Sequence, residues 1–260
     1  MITRYALDER LPLMIHAAES KSEEALMQCG SGPFAEGDCG SETSLEYARV
    51  SSYTIFARSG SARRKASLAH CINVDDPDIE TIKSAGAKVA HCPESNAPTT
   101  TRQCAVFFIR QSSVARSLAA TSVASNNTCD MLEEARFALL LSRLKSFTGD
   151  SISEPFVSTD EALQAATLGG ARTLGLEETV GTLQPGYAAD LAVISSFMRT
   201  HQMPVYDVAG ALVFSSSARD VLLTVVAGRE VYSNGRVNTV DEDRLRARIL
   251  EIGEKLSRTR

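Results

Sequence analysis

A chain of 260 residues allows one large domain or two smaller ones, and a 43% hydrophobic content can fill a sizeable core. Charged residues make up 23% and the formal net charge is -5, which argues against a general nucleic-acid binder with its basic stripe. No apolar run approaches the roughly 20 residues needed to span a bilayer, and the N-terminus lacks a basic region followed by an apolar one, so neither a membrane span nor a signal peptide is expected. Six cysteines, at positions 29, 39, 71, 92, 104 and 129, form no CxxC pair and read as reduced thiols of a cytoplasmic protein.

In chain order, residues 10–19 (RLPLMIHAAE) read as a buried strand after the turn-like Pro12, and 20–28 as a helix start. From Gly30 to about Lys65 neither a 3.6 nor a 2.0 period persists. Residues 67–74 (SLAHCINV) read as a second strand. Residues 75–87 read as a helix with acidic residues in its first turn, Ile79 and Ile82 on one side, and Gly86 as its stop. KVAHCPESN is a third short strand with a turn after it. The strand–helix–strand rhythm is that of a parallel α/β sheet or barrel. Residues 97–121 break it, with no clear helix and strand. Residues 129–145 form an amphipathic helix with Leu132, Ala135, Leu139 and Leu140 on one face, and 158–174 form another, capped by Ser158, Thr159 or Asp160.

After Gly175 the character changes. Leu191–Ile194, ALVFSSS, DVLLTVVAG and REVYSNGRV read as a small β region, with Gly228 and Asn234-Gly235 as hairpin turns. The tail is an amphipathic helix with Leu245, Ile249 and Ile252 on its apolar side.

Three of the four histidines fall at the ends of three consecutive predicted strands. In an α/β barrel the chemistry sits at the C-terminal strand ends. His16 there could ligate Zn²⁺ or a similar ion, and Glu19, three residues on, could move protons to and from a bound water. The plainer alternative is a capped strand end with a solvated glutamate. His70 and His91 are placed the same way, and convergent strand-end histidines are how a barrel builds a metal site. Cys71 and Cys92 read as buried small residues, since adjacent strand side chains point to opposite faces. His201 reads as structural, Asp75–Asp76 as serving a helix N-terminus, and Ser125-Asn126-Asn127 as an N-cap cluster.

Taken together, HAAES (16–20), LAHCINVDDPDI (68–79), AHCPESN (90–96), SVASNNTCDMLEEAR (122–136), the Gly-rich 166–194 and the segment 204–237 resemble the amidohydrolase superfamily. The branch is that of the methylthioadenosine/S-adenosylhomocysteine and guanine deaminases and the triazine hydrolases. The resemblance implies the C-terminal strands of a (β/α)8 barrel over 1–174, then a β-sandwich segment with a C-terminal helix over 175–260. It implies His16 as a metal ligand, Glu19 as the proton-transferring carboxylate and His70 as the group orienting the attacking water. The implied reaction is hydrolysis of a non-peptide C–N bond in a purine-like or other heterocyclic amine, with a divalent metal, zinc by the family's habit. The implied partner is a small molecule, with neither nucleic acid nor membrane.

The departures matter as much. The His-x-His pair of the family's first strand has no counterpart, and a full barrel typically takes about 250 residues. Thr121 stands where the family's eighth-strand aspartate belongs, and a hydroxyl binds divalent ions weakly. A homo-oligomer or a missing N-terminal fragment would have to supply the absent ligands. The alternative is an inactive truncated or frameshifted remnant, or one part of a split protein that binds another chain. Compensating frameshifts would explain residues 97–121, and the poorly patterned 38–66, between intact motifs. Arg102, Arg110 and Arg116 would then fall in or near the core and leave that segment misplaced.

Overall fold

The computed structural model describes residues 5–6, 8–9, 11–29, 31–32, 66–97, 114, 116–148, 157–195 and 199–258. Two compact units divide at Gly181/Thr182.

In the first unit, strands β1 (Leu13–Ala17), β2 (Ala66–His70), β3 (Lys88–His91) and β4 (Arg116–Leu118) form one parallel sheet in sequence order. Parallel neighbours need crossovers. Among the described residues these include α1 (Lys21–Cys29), α2 (Asp76–Ala85) and the single turn α3 (Pro93–Asn96). The ends of α2 are fixed locally. Asp75 accepts the Asp78 N–H in a reciprocal capping box, Pro77 sits in the first turn, and Gly86 closes the helix in the left-handed region at φ 65°. Ile79 and Ile82 drop from it onto Leu68 and Val89 of the sheet, forming a core with Ala17, Cys71, Ala87 and Val114.

Beyond β4 come the turn α4 (Val123–Asn126) and the long helix α5 (Met131–Thr148). One helical rod then runs through α6 (Thr159–Gln164), a wider π turn at Ala165–Gly169, and α7 (Gly170–Leu174). Ser158 caps it in a capping box with Glu161.

Several expectations are corrected here. β1 is not buried. Met14, Ile15 and His16 are exposed, and among the described residues β1 pairs only with β2, so little packs on its faces. The second strand stops at His70, because His70 and Cys71 turn into positive φ. Residues 97–121 do yield a strand. β4 pairs with β3 through Arg116, Ser117 and Leu118, and Arg116 is only half-buried, which its long stem permits. Arg102 and Arg110, like most of 38–66, lie outside the described residues. On α5 the buried face is Glu134, Ala135, Ala138 and Leu139, while Leu140 is exposed. That helix starts at Asp130, which accepts the N–H groups of Leu132 and Glu133, rather than at Ser125-Asn126-Asn127.

In the second unit, β5 (Leu191–Ile194), β6 (Val221–Val226), β7 (Arg229–Ser233) and β8 (Arg236–Val237) form an antiparallel sheet in sequence order. Ala227-Gly228 and Asn234-Gly235 have positive φ at both residues, as tight two-residue hairpins demand. The run ALVFS is helical rather than a strand. Asp207 accepts from the Ala209 and Gly210 amides to start α8 (Val208–Gly210), and Ala211–Ser215 continues it. A short apolar run fits either state, and here the cap decides. His201 is exposed in a turn at Thr200–Gln202. The tail helix α9 (Glu242–Ser257) forms as expected, with Leu245, Ile249 and Ile252 exposed. Among the described residues no helix is long and apolar enough to cross a membrane.

Candidate active site

The parallel register sets His16 opposite Ala69 and Ala17 opposite His70, so two imidazoles reach the same end of neighbouring strands. Their rings stack, with centroids 5.3 Å apart and planes 24° from parallel. The chain leaves β1 through Ala18 at φ 52° and leaves β2 through His70 and Cys71 at φ 71° and 49°. Non-glycine residues in this region carry strain, and it is held here by hydrogen bonds. The Cys71 N–H donates to the Ala17 carbonyl, and the Ile72 and Asn73 N–H groups donate to the Ala18 carbonyl.

Glu19 follows on the same turn. Its backbone is fixed by Glu23, whose two carboxylate oxygens accept the Ala18 and Glu19 N–H groups, each at 2.9 Å. The Glu23 N–H in turn donates to Ser20 Oγ, which starts α1. This places Glu19 Oε1 3.5 Å from His70 Nε2, with the imidazole almost fully buried and the carboxylate about one-third exposed. A carboxylate beside a buried imidazole is an arrangement that acid–base chemistry can use.

The other edge of His70 meets Asn96. Nδ1 lies 2.7 Å from Asn96 Oδ1, and the Asn96 amide nitrogen lies 3.3 Å from Nδ1 of His91. His91 is buried. Loss of solvation, with a lesser contribution from His70, lowers its pKa to about 3, so the ring is neutral. Cys71 and Cys92 are fully buried, and burial pushes the Cys71 thiol well above its ordinary range. Both are spacers rather than ligands in this arrangement.

A carboxylate that the sequence reading did not single out supports this loop. Glu134 is fully buried and accepts the Glu94 N–H at 3.0 Å and the Asn126 side-chain amide at 3.1 Å. Burial raises its pKa, against the pull of those two bonds. Asn96 shares the AHCPESN motif with His91, Asn126 and Glu134 lie in the histidine-free SVASNNTCDMLEEAR, and Glu23 follows HAAES by three residues.

The described residues do not fit a complete metal site. No three His, Cys, Asp or Glu side chains among them converge on one point. One imidazole, such as that of His16, does not replace the three or four protein ligands of a zinc site. Thr121, three residues past the end of β4, is already engaged, its hydroxyl 2.5 Å from that of Ser95.

These strand-end histidines, with a carboxylate beside one of them, lie at one end of a parallel α/β sheet. The amidohydrolase family profile matches residues 1–231, and the chain belongs to that family. It is 38% identical to a 5-methylthioadenosine/S-adenosylhomocysteine deaminase of Pelotomaculum thermopropionicum over 179 residues, 69% of this chain and 40% of the relative. It is 35% identical to the deaminase of the same name from Moorella thermoacetica, over 70% of this chain and 41% of that one. The chain thus spans less than half the length of these curated relatives. In fold it resembles a zinc-bound adenosine deaminase from Xanthomonas campestris (TM-score 0.79, 23% identity, 98% of this chain and 53% of that one). It also resembles the E. coli guanine deaminase (TM-score 0.74, 22% identity, 89% of this chain and 50% of that one).

Proposed function

We propose that this chain carries the Glu19–His70 part of a hydrolytic deaminase site that acts on a purine-like or other heterocyclic amine. The observation that carries the reading is the Glu19–His70 pair, with Glu19 Oε1 3.5 Å from His70 Nε2 and the His16 ring stacked on that of His70. The names of the sequence relatives support the choice of substrate class.

Hydrolytic deamination replaces a C–NH2 bond with C–OH, consumes one water and releases ammonia. A base must take a proton from the water, and an acid must return one to the leaving nitrogen. A single carboxylate can do both in turn. Glu19 has that role, and His70 accepts a hydrogen bond that aims the water. The same reading makes His16 one ligand of a divalent metal, zinc in the similar adenosine deaminase structure, with further donors from outside the described residues. It takes β1–β4 as C-terminal strands of a (β/α)8 barrel, residues 1–174 as the barrel part and 175–260 as the β-sandwich segment with its helix. Free thiols at Cys71, Cys92 and Cys129 fit a cytoplasmic setting.

A second reading is a non-catalytic remnant, or one part of a split protein that binds another chain. Thr121 favours it, since a hydroxyl bonded to Ser95 occupies the position expected of an anionic ligand.

The test pairs zinc content after dialysis with ammonia release from 5-methylthioadenosine, S-adenosylhomocysteine, adenosine and guanine, with zinc added back. Ammonia release that Glu19→Gln abolishes without unfolding the chain supports the first reading. Substoichiometric zinc with no release from any substrate overturns it for the chain alone and supports the second.

A further inference from the structure

We propose that Asn96 is a positioning residue that locks two histidines in opposite tautomers, His70 protonated on Nδ1 and His91 protonated on Nε2. A primary amide is unsymmetrical, because its oxygen only accepts and its nitrogen only donates. Both imidazoles turn their Nδ1 toward this one amide. His70 Nδ1 meets the oxygen at 2.7 Å, so it must carry a hydrogen. His91 Nδ1 meets the nitrogen at 3.3 Å, so it must be bare. All three side chains are buried, so bulk water is a poor substitute for either bond.

The amide is held in place by its own loop. The Asn96 N–H donates to the Cys92 carbonyl, Ser95 is bonded to Thr121, and the Glu94 N–H is gripped by Glu134. The far edge of His70 is consistent with this. If Nε2 carried a hydrogen, it should close on Glu19 Oε1 to the ordinary N–H···O distance of about 2.7–3.2 Å. The separation is 3.5 Å, as expected when two acceptors face each other. Such a pair is ready to receive a donor, such as a water hydrogen, between them. That consequence rests on the hydrolytic reading above, whereas the tautomers themselves do not.

The experiment is a long-range ¹H–¹⁵N spectrum of the full chain labelled in histidine. It is recorded at about pH 8.5, roughly two units above the ordinary imidazole pKa, with ring assignments from single histidine substitutions. In the wild type, His70 is expected to show a protonated Nδ1 and a bare Nε2, and His91 the reverse. Asn96→Leu should move His70 toward the Nε2–H form that free imidazoles prefer. Asn96→Asp, which can accept but not donate, should keep His70 unchanged and release His91 alone. A bare Nδ1 on wild-type His70 overturns the proposal, as does a His70 pattern that survives in folded Asn96→Leu. If both variants fail to fold, the wild-type pattern decides alone. No deaminase activity is required, so failure here is separate from failure of the hydrolytic reading.

Discussion

The buried carboxylate of Glu134 accepts the backbone N–H of Glu94, forty residues earlier in the chain, at 3.0 Å. The second carboxylate oxygen takes the Asn126 amide, so one side chain on α5 ties together the loop after β3 and the turn after β4. Removing it leaves one buried and one partly buried donor without their acceptor. Glu134→Ala is expected to lower stability by about 2–4 kcal/mol, read from chemical denaturation. A loss below about 1 kcal/mol would mean that the loop finds other partners. Since the Glu134 pKa is raised in the fold, its proton is bound more tightly there than in the unfolded chain. Its contribution therefore favours folding below the ordinary carboxylate value and weakens as pH rises through the raised one.

The sign is opposite for His91. Its pKa falls to about 3 in the fold from an ordinary 6.5, so the unfolded chain takes up a proton that the folded chain refuses. The stability of the neutral, buried ring is fully present above pH 6.5 and is lost as pH falls from there toward 3. The slope is at most about 1.4 kcal/mol per pH unit for one proton. Denaturation midpoints measured across this range in wild type and in His91→Gln should show a steeper rise with pH in the wild type, the difference being the share of His91. Parallel curves would mean that His91 is protonated in the fold.

Glu23 offers a test of how the Glu19 turn is held. Glu23→Ala removes the acceptor of two N–H groups at a turn with positive φ. The amides of Ala18 and Glu19 should then exchange with deuterium at least about tenfold faster, the equivalent of about 1.4 kcal/mol of local stability. Unchanged protection at both amides would show that the β1–β2 pairing alone sets the turn.

Local signals made α2 readable from sequence, because Asp75 and Gly86 each act within a few residues of the helix end they fix. The strand-end placement of His16, His70 and His91 was readable for the same reason, as each closes a short apolar run. What pairs with those histidines was not. Charged residues default to the surface, so nothing in the period of α5 marks Glu134 as buried or points it at Glu94. The exposure of Leu140 shows the same limit. A helix pattern gives an apolar stripe, but the tertiary neighbours choose which edge of it is covered. Asn96 is a further case, because it sits in α3 while its partner His70 ends β2, 26 residues away.

The adjacent glycines 169 and 170 give the sharpest contrast in packing. Both have helical backbone angles, φ -60° and ψ -45° for Gly169 and φ -57° and ψ -50° for Gly170, so neither needs glycine for its conformation. Their surroundings differ. A methyl at Gly169 would lie 2.7 Å from the Arg116 carbonyl oxygen and 3.2 Å from that of Gln164, whereas a methyl at Gly170 would meet nothing within 4 Å. The wide turn Ala165–Gly169 thus lies directly on the backbone of β4, and the missing side chain permits that approach. Gly169→Ala must push the helix off the strand or open the turn, at a cost of about 1–3 kcal/mol. Gly170→Ala should stabilise by about 0.5–1 kcal/mol, because alanine restricts the unfolded chain and fits the helix. The two variants are compared by thermal and chemical denaturation under one buffer. Opposite signs are expected. A neutral Gly169→Ala would show that β4 and this helix are not in contact.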